Sequence, residues 1–110
     1  MSRVLIGAFS PVMRLGLRDL LTEAGCDVVA DDQDGRGLLD RLSCTLPDVL
    51  LVELDDVDSA QAVSVAFPAI KVIACAPNGE SMRVFPRFHR GESFVTAMTI
   101  EQLIEASSAP

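Results

Sequence analysis

Short, nearly continuous apolar runs alternate along this chain with stretches whose apolar residues recur every three or four positions. Val4-Leu5-Ile6 is the first run, and its lack of polar alternation suits a strand buried on both faces. Ser10-Pro11 follows as an N-cap with proline at the first helical position, and Val12, Leu15, Leu17, Leu20 and Leu21 continue at helical spacing until Gly25. Val28-Val29-Ala30 predicts a second strand, and Gly35 to Cys44 a helix striped by Leu38, Leu39 and Leu42. The strongest strand is Val49-Leu50-Leu51-Val52, which leads through Glu53-Leu54 into the acidic cluster Asp55, Asp56 and Asp58. Asp58 and Gln61 are spaced as a capping pair for a helix reaching about Phe67, and Ile70 to Cys75 predicts a fourth strand.

Beyond the turn cluster Pro77-Asn78-Gly79, Pro86 interrupts any helix between Ser81 and Arg90, so one or two helical turns and then irregular chain are expected there. Ser93-Phe94-Val95 predicts a fifth strand. Thr99 and Gln102 predict a capped last helix with Ile100, Leu103 and Ile104 on its apolar face. Five β/α units with such strands call for a parallel sheet covered on both faces. Right-handed crossovers favour the flavodoxin-like strand order 2-1-3-4-5, a three-layer α/β/α sandwich with a shortened or irregular fourth helix. Residues 1–106 then form one domain, and 107–110 a tail or the start of a linker.

Composition narrows the function. The 110 residues are 49% hydrophobic and 23% charged, which fits one globular domain with a single core. No apolar run is long enough for a membrane-spanning helix, and no signal-peptide pattern opens the chain, so a cytoplasmic location without membrane contact is expected. Cys26, Cys44 and Cys75 are odd in number and lack metal-ligand spacing, which predicts free thiols. A net charge of −7 disfavours direct nucleic-acid contact. The charge is uneven: Asp31 to Asp58 is strongly acidic, whereas Arg83 to Arg90 holds three arginines and His89 with no acid.

Several segments resemble one family. Arg3-Val4-Leu5-Ile6 with Ser10-Pro11-Val12-Met13-Arg14-Leu15-Gly16-Leu17 resembles the opening of receiver domains in LuxR-type (NarL/FixJ-like) response regulators. Pro47 to Leu54 resembles their third strand, Lys71-Val72-Ile73 the fourth, and Glu101 to Ala106 the last helix. The resemblance covers essentially the whole chain and is weakest over 77–92. It implies a CheY-like fold and a phosphorylation site at the carboxyl ends of the strands. There an acidic pair holds Mg²⁺, an aspartate accepts the phosphoryl group, a Thr or Ser senses it, and a Lys pairs with it.

Carried over position by position, the acidic pair falls on Ala8 and Phe9, the acceptor on Glu53, the Thr/Ser on Ala76 and the Lys on Thr96. Every signature position has changed. Mg²⁺ needs several oxygen ligands, and a lone Glu53 carboxylate binds it weakly. Phe9 adds bulk where the ion would sit. Without the ion and the ammonium, charge on a transferred phosphoryl group lacks its stabilisers. Two readings of Glu53 stay open: a fixed charge mimicking phosphoaspartate, or a carboxylate that merely ends a strand. Asp55 and Asp56 read as loop carboxylates near a helix start.

No nucleotide-binding motif or nucleophile elbow is present, and neither enzymatic activity nor a bound metal or cofactor is expected. The resemblance therefore points to a degenerate, phosphorylation-independent receiver acting in transcriptional regulation by protein contact or dimerisation. The face formed by the fourth helix, fifth strand and fifth helix commonly carries dimer contacts in the family, which implies a homodimer or another regulatory protein as partner. Here the corresponding candidate surface is Met82, Arg83, Arg87, Phe88, His89 and Arg90. DNA would be contacted only through a C-terminal effector domain. The alternative is a small-molecule sensor using the vacated site bounded by Ala8, Phe9, Ala76 and Thr96, and a residual phosphoacceptor ranks last.

Overall fold

A computed structural model describes residues 3–7, 11–32, 44, 46–53, 57–76, 80–88 and 93–108. Among them are six strands and three helices: β1 (Arg3–Gly7), α1 (Pro11–Glu23), β2 (Asp27–Asp32), β3 (Val49–Glu53), α2 (Val57–Ala66), β4 (Lys71–Cys75), β5 (Ser81–Phe85), β6 (Phe94–Ala97) and α3 (Ile100–Ser108). The helix predicted between Gly35 and Cys44 and the turn at 77–79 lie outside the described residues, apart from Cys44 itself, which is helical and exposed.

Local signals set the helix ends. Pro11 opens α1, and Gly25 closes it at φ 90°, a left-handed conformation that glycine adopts without strain. The Cys26 N–H donates to the Leu21 carbonyl (2.9 Å) and the Gly25 N–H to Thr22 (3.1 Å), a Schellman closure whose apolar partners Leu21 and Cys26 are both buried. Thr99 caps α3, its Oγ1 accepting from the Gln102 N–H at 3.1 Å. α2 opens at Val57, one residue before the predicted cap, so Asp58 lies inside its first turn.

The sheet order is β2-β1-β3-β4-β5-β6. β1, β2, β3 and β4 are mutually parallel, in the order the sequence predicts. The apolar runs of β1, β3 and β4 are buried on both faces. Val4, Ile6, Val49, Leu51, Ile73 and Cys75 pack with Leu17 and Leu21 of α1 and Leu103 of α3. Leu5, Leu50, Val52, Val72 and Ala74 pack with Ala60 of α2. The α/β/α layering is therefore as expected.

The carboxyl-terminal half differs. Residues 81–85 form a strand where helical turns were expected, and β5 runs antiparallel to β4. The predicted fifth strand is the sixth, β6, antiparallel to β5 and one position further out. The sheet is thus mixed and six-stranded, not five-stranded and parallel. The reason lies in the alternation of Ser81-Met82-Arg83-Val84-Phe85: Met82 and Val84 are buried toward α3, and Phe85 packs on the opposite face. That period of two, followed by a proline that forbids helix, is strand chemistry. At the chain's end α3 continues through Ser107, which is fully buried, so the predicted tail from 107 belongs in part to the last helix.

Asp48 fastens the amino edge of the sheet. Its carboxylate accepts from the Arg3 N–H (3.0 Å), its own N–H donates to the Arg3 carbonyl (2.8 Å), and its carbonyl accepts from Lys71 (3.0 Å). Asp48→Ala removes only the side-chain bond, which is exposed, and is expected to cost about 1 kcal/mol or less in a urea titration.

Candidate functional site

The carboxyl ends of the parallel strands, the expected ligand edge of an open α/β sheet, carry Glu53 at the end of β3 and Cys75 at the end of β4. The ladder places them as direct partners, and continues Cys75 to Met82 and Met82 to Thr96. Glu53, Cys75, Met82 and Thr96 therefore form one row across four strands. Strand spacing puts Thr96 about 14 Å from the Glu53 backbone.

Glu53 is half-buried and Cys75 is 1% exposed. Burial, and after it the Glu53 charge, push the Cys75 thiol up to about 12. The thiol is accordingly neutral at physiological pH and inert as a nucleophile. The neighbour of the acceptor-position carboxylate is thus a protonated sulfur. Mg²⁺ demands hard oxygen donors in octahedral array, and one carboxylate beside a neutral thiol does not supply them. Among the described residues no group of three or more His, Cys, Asp or Glu could hold a metal ion. Ala8, Phe9, Asp55 and Asp56 lie outside the described residues.

The remaining candidates are scattered. Ala76 follows β4, half-buried, its N–H donating to the Ser81 carbonyl (3.0 Å). β5 lies between β4 and β6, so Ala76 and Thr96 belong to strands that are not neighbours. Thr96 instead lines a cavity of about 170 Å³ between α3 and the β5–β6 hairpin, with Met82, Val84, Phe94 and the pair Lys71 and Glu105. Burial lowers the Lys71 pKa there, with Glu105 partly opposing the shift.

Met82 is 1% exposed and belongs to the core, so it leaves the candidate interaction surface. Arg83 is half-buried and donates from Nη1 to the Ser93 Oγ (3.0 Å). Arg87 donates from Nε to the Ala69 carbonyl (2.7 Å), and the Phe88 N–H donates to Pro68 (2.7 Å). Both bonds fasten this stretch at the amino end of β4, away from Glu53. Phe88 is 69% exposed, and His89 and Arg90 lie outside the described residues.

Two residues were passed over in the sequence. Cys75 faces Glu53 only because of the strand register. Arg14, buried at 8% on the first turn of α1, sits at the carboxyl-end side of the sheet because α1 follows β1 directly. Its neighbours in sequence mark a helix face but not its depth.

No family model matches this chain. It is 27% identical over 94 residues to the chemotaxis protein CheY of Thermotoga maritima, covering 81% of this chain and 78% of that one. Among solved structures it resembles the signal receiver domain of NarL from Mycobacterium tuberculosis, with 28% identity, TM-score 0.58, and coverage of 68% of this chain and 65% of that one. It also resembles RcsB in a structure of two RcsB dimers bound to two parallel DNAs, with 22% identity, TM-score 0.64, and coverage of 72% and 44% respectively. The chain thus spans just under two thirds of the NarL chain and less than half of the RcsB chain.

Proposed function

We propose that the chain, which is a CheY-like response regulator receiver domain, regulates through protein contact and self-association without accepting a phosphoryl group. The observation that carries this reading is the row at the acceptor position. Glu53 stands beside a buried, protonated Cys75, and Thr96, the position of the phosphate-pairing lysine, is moved outward by β5. A phosphoryl group there would meet a neutral thiol in place of a cation, and its transition-state charge would go uncompensated. In this reading Glu53 is a fixed strand-end carboxylate, and the domain turns over no substrate of its own.

Self-association is supported by analogy with RcsB, whose dimers are bound to DNA in the structure above. The contact side is the β5–β6 end of the sheet, with Arg83 on the face away from α3 and Arg87 and exposed Phe88 just beyond β5; His89 and Arg90 join it by sequence. With a net charge of −7 this domain does not hold DNA itself, and DNA is reached through an effector domain. A cytoplasmic location belongs to the same reading. No helix among the described residues is long and apolar enough to cross a membrane.

Exposure to Mg²⁺ with acetyl phosphate or beryllofluoride, read by intact mass and amide NMR shifts, tests the proposal. The expected result is no mass gain and no saturable shift around Glu53. A stoichiometric phosphoryl adduct would overturn it.

A further inference from the structure

The two edges of the sheet are chemically unlike. β2, at one edge, carries Asp27, Asp31 and Asp32 among its six residues, and charge along an edge deters further strand pairing. β6, at the other, reads Phe94-Val95-Thr96-Ala97, with no charge and no proline. Phe94 is 53% and Val95 55% exposed. An apolar, β-branched edge strand without a guard is a template for another strand.

The register shows which backbone groups are open. Met98 donates its N–H to the Glu80 carbonyl (3.1 Å), and the same ladder pairs Met82 with Thr96 and Val84 with Phe94. In an antiparallel ladder the hydrogen-bonded pairs recur at every second residue. Phe94, Thr96 and Met98 therefore turn their N–H and C=O toward β5, and Val95 turns both of its groups to the open edge. Ala97 likewise turns its N–H outward, while its carbonyl already accepts from the Thr99 N–H (3.1 Å).

We propose that β6 pairs antiparallel with β6 of a second copy about a two-fold axis at Val95, joining two sheets into one of twelve strands. Val95 and its symmetry mate exchange two hydrogen bonds through groups the fold leaves open. On the face shared with α3, Phe94 lies directly across from the partner's Thr96, and an aromatic opposite a β-branched residue is a favourable cross-strand pair. On the other face the two Val95 side chains meet. Both exposed apolar residues are covered by one register, which is what fixes a strand pairing. The charged β2 edge offers no second site, so assembly closes at two copies instead of growing into a filament.

This pairing rests on the self-association reading, and the test separates the two. Sedimentation of the full chain over a concentration series is expected to show a dimer. Val95→Pro, which removes an outward N–H that β5 does not use, is expected to raise the dimer Kd by about tenfold or more. In a Cys44→Ser background, Val95→Cys is expected to cross-link to its own copy under mild oxidation, because directly opposed hydrogen-bonded partners are about 5.5 Å apart at Cα. Ala97→Cys, displaced from its mate by the register, is not. A dimer that survives Val95→Pro and cross-links at neither position would overturn the edge pairing and leave self-association by another face. A chain monomeric at all concentrations would sink both.

Discussion

Met82→Asp is expected to leave no folded protein at 25 °C, while Arg83→Asp, one residue along, folds and loses about 1 kcal/mol. Met82 is 1% exposed, stands in register between Cys75 and Thr96 in the ladder, and packs with the α1 and α3 side of the core. Losing its packing costs about 2–5 kcal/mol. Placing a carboxylate there adds several kcal/mol, whether as desolvation or as enforced protonation. The sum approaches the entire stability of a domain this size, about 5–15 kcal/mol. Arg83 points to the opposite face, is half-buried, and gives up one hydrogen bond to Ser93. Urea titrations followed by circular dichroism decide the matter. Similar losses at the two positions would be incompatible with a strand at 81–85.

The second large effect is alkaline. The Cys75 thiol rises from 9.0 to about 12 on folding, chiefly by burial and then by Glu53. Below pH 9 the thiol is neutral in both states, and the contribution of this group to stability is complete. As pH climbs from about 9 to about 12 the unfolded chain ionises first, and stability falls by about 4 kcal/mol over that window. Lys71, whose pKa is lowered by burial, acts in the opposite sense at high pH. Comparison with Cys75→Ala isolates the thiol: the variant is less stable near pH 7, yet most of the alkaline loss is expected to vanish. A pH profile unchanged in slope by the substitution would refute the assignment. Thiol labelling gives an independent check, because exposed Cys44 reacts in the folded protein while buried Cys26 and Cys75 wait for unfolding.

Which features were legible in the sequence follows from how far their causes reach along the chain. Pro11, Gly25 and Thr99 act within one helical turn, so the ends of α1 and the start of α3 could be read from local chemistry. The parallel strands β1, β3 and β4 announced themselves because burial on both faces leaves no polar position. β5 was harder. Its alternation lasts only five residues, and Pro86 excludes helix without saying what replaces it; only pairing with β4, a tertiary fact, resolves the choice. The candidate site shows the same division. Glu53 was placed at the end of its strand by position alone, whereas its partnership with Cys75 and the removal of Thr96 from it depend on register and on one inserted strand. Ser107 went unread because serine is a poor helix former in isolation, and packing against the core overrides that preference.

The replacement of a crossover by a hairpin also changes how the chain must search for its own structure. β4, β5 and β6 form a meander in which Cys75 meets Met82 across about seven residues, while the first strand meets the third across 45. Closing the longer loop costs about 1.5 kcal/mol more in chain entropy. Synthesis runs against that gradient. β1 must wait for β3 before its second edge is covered, whereas β4, β5 and β6, made after both, can organise among themselves.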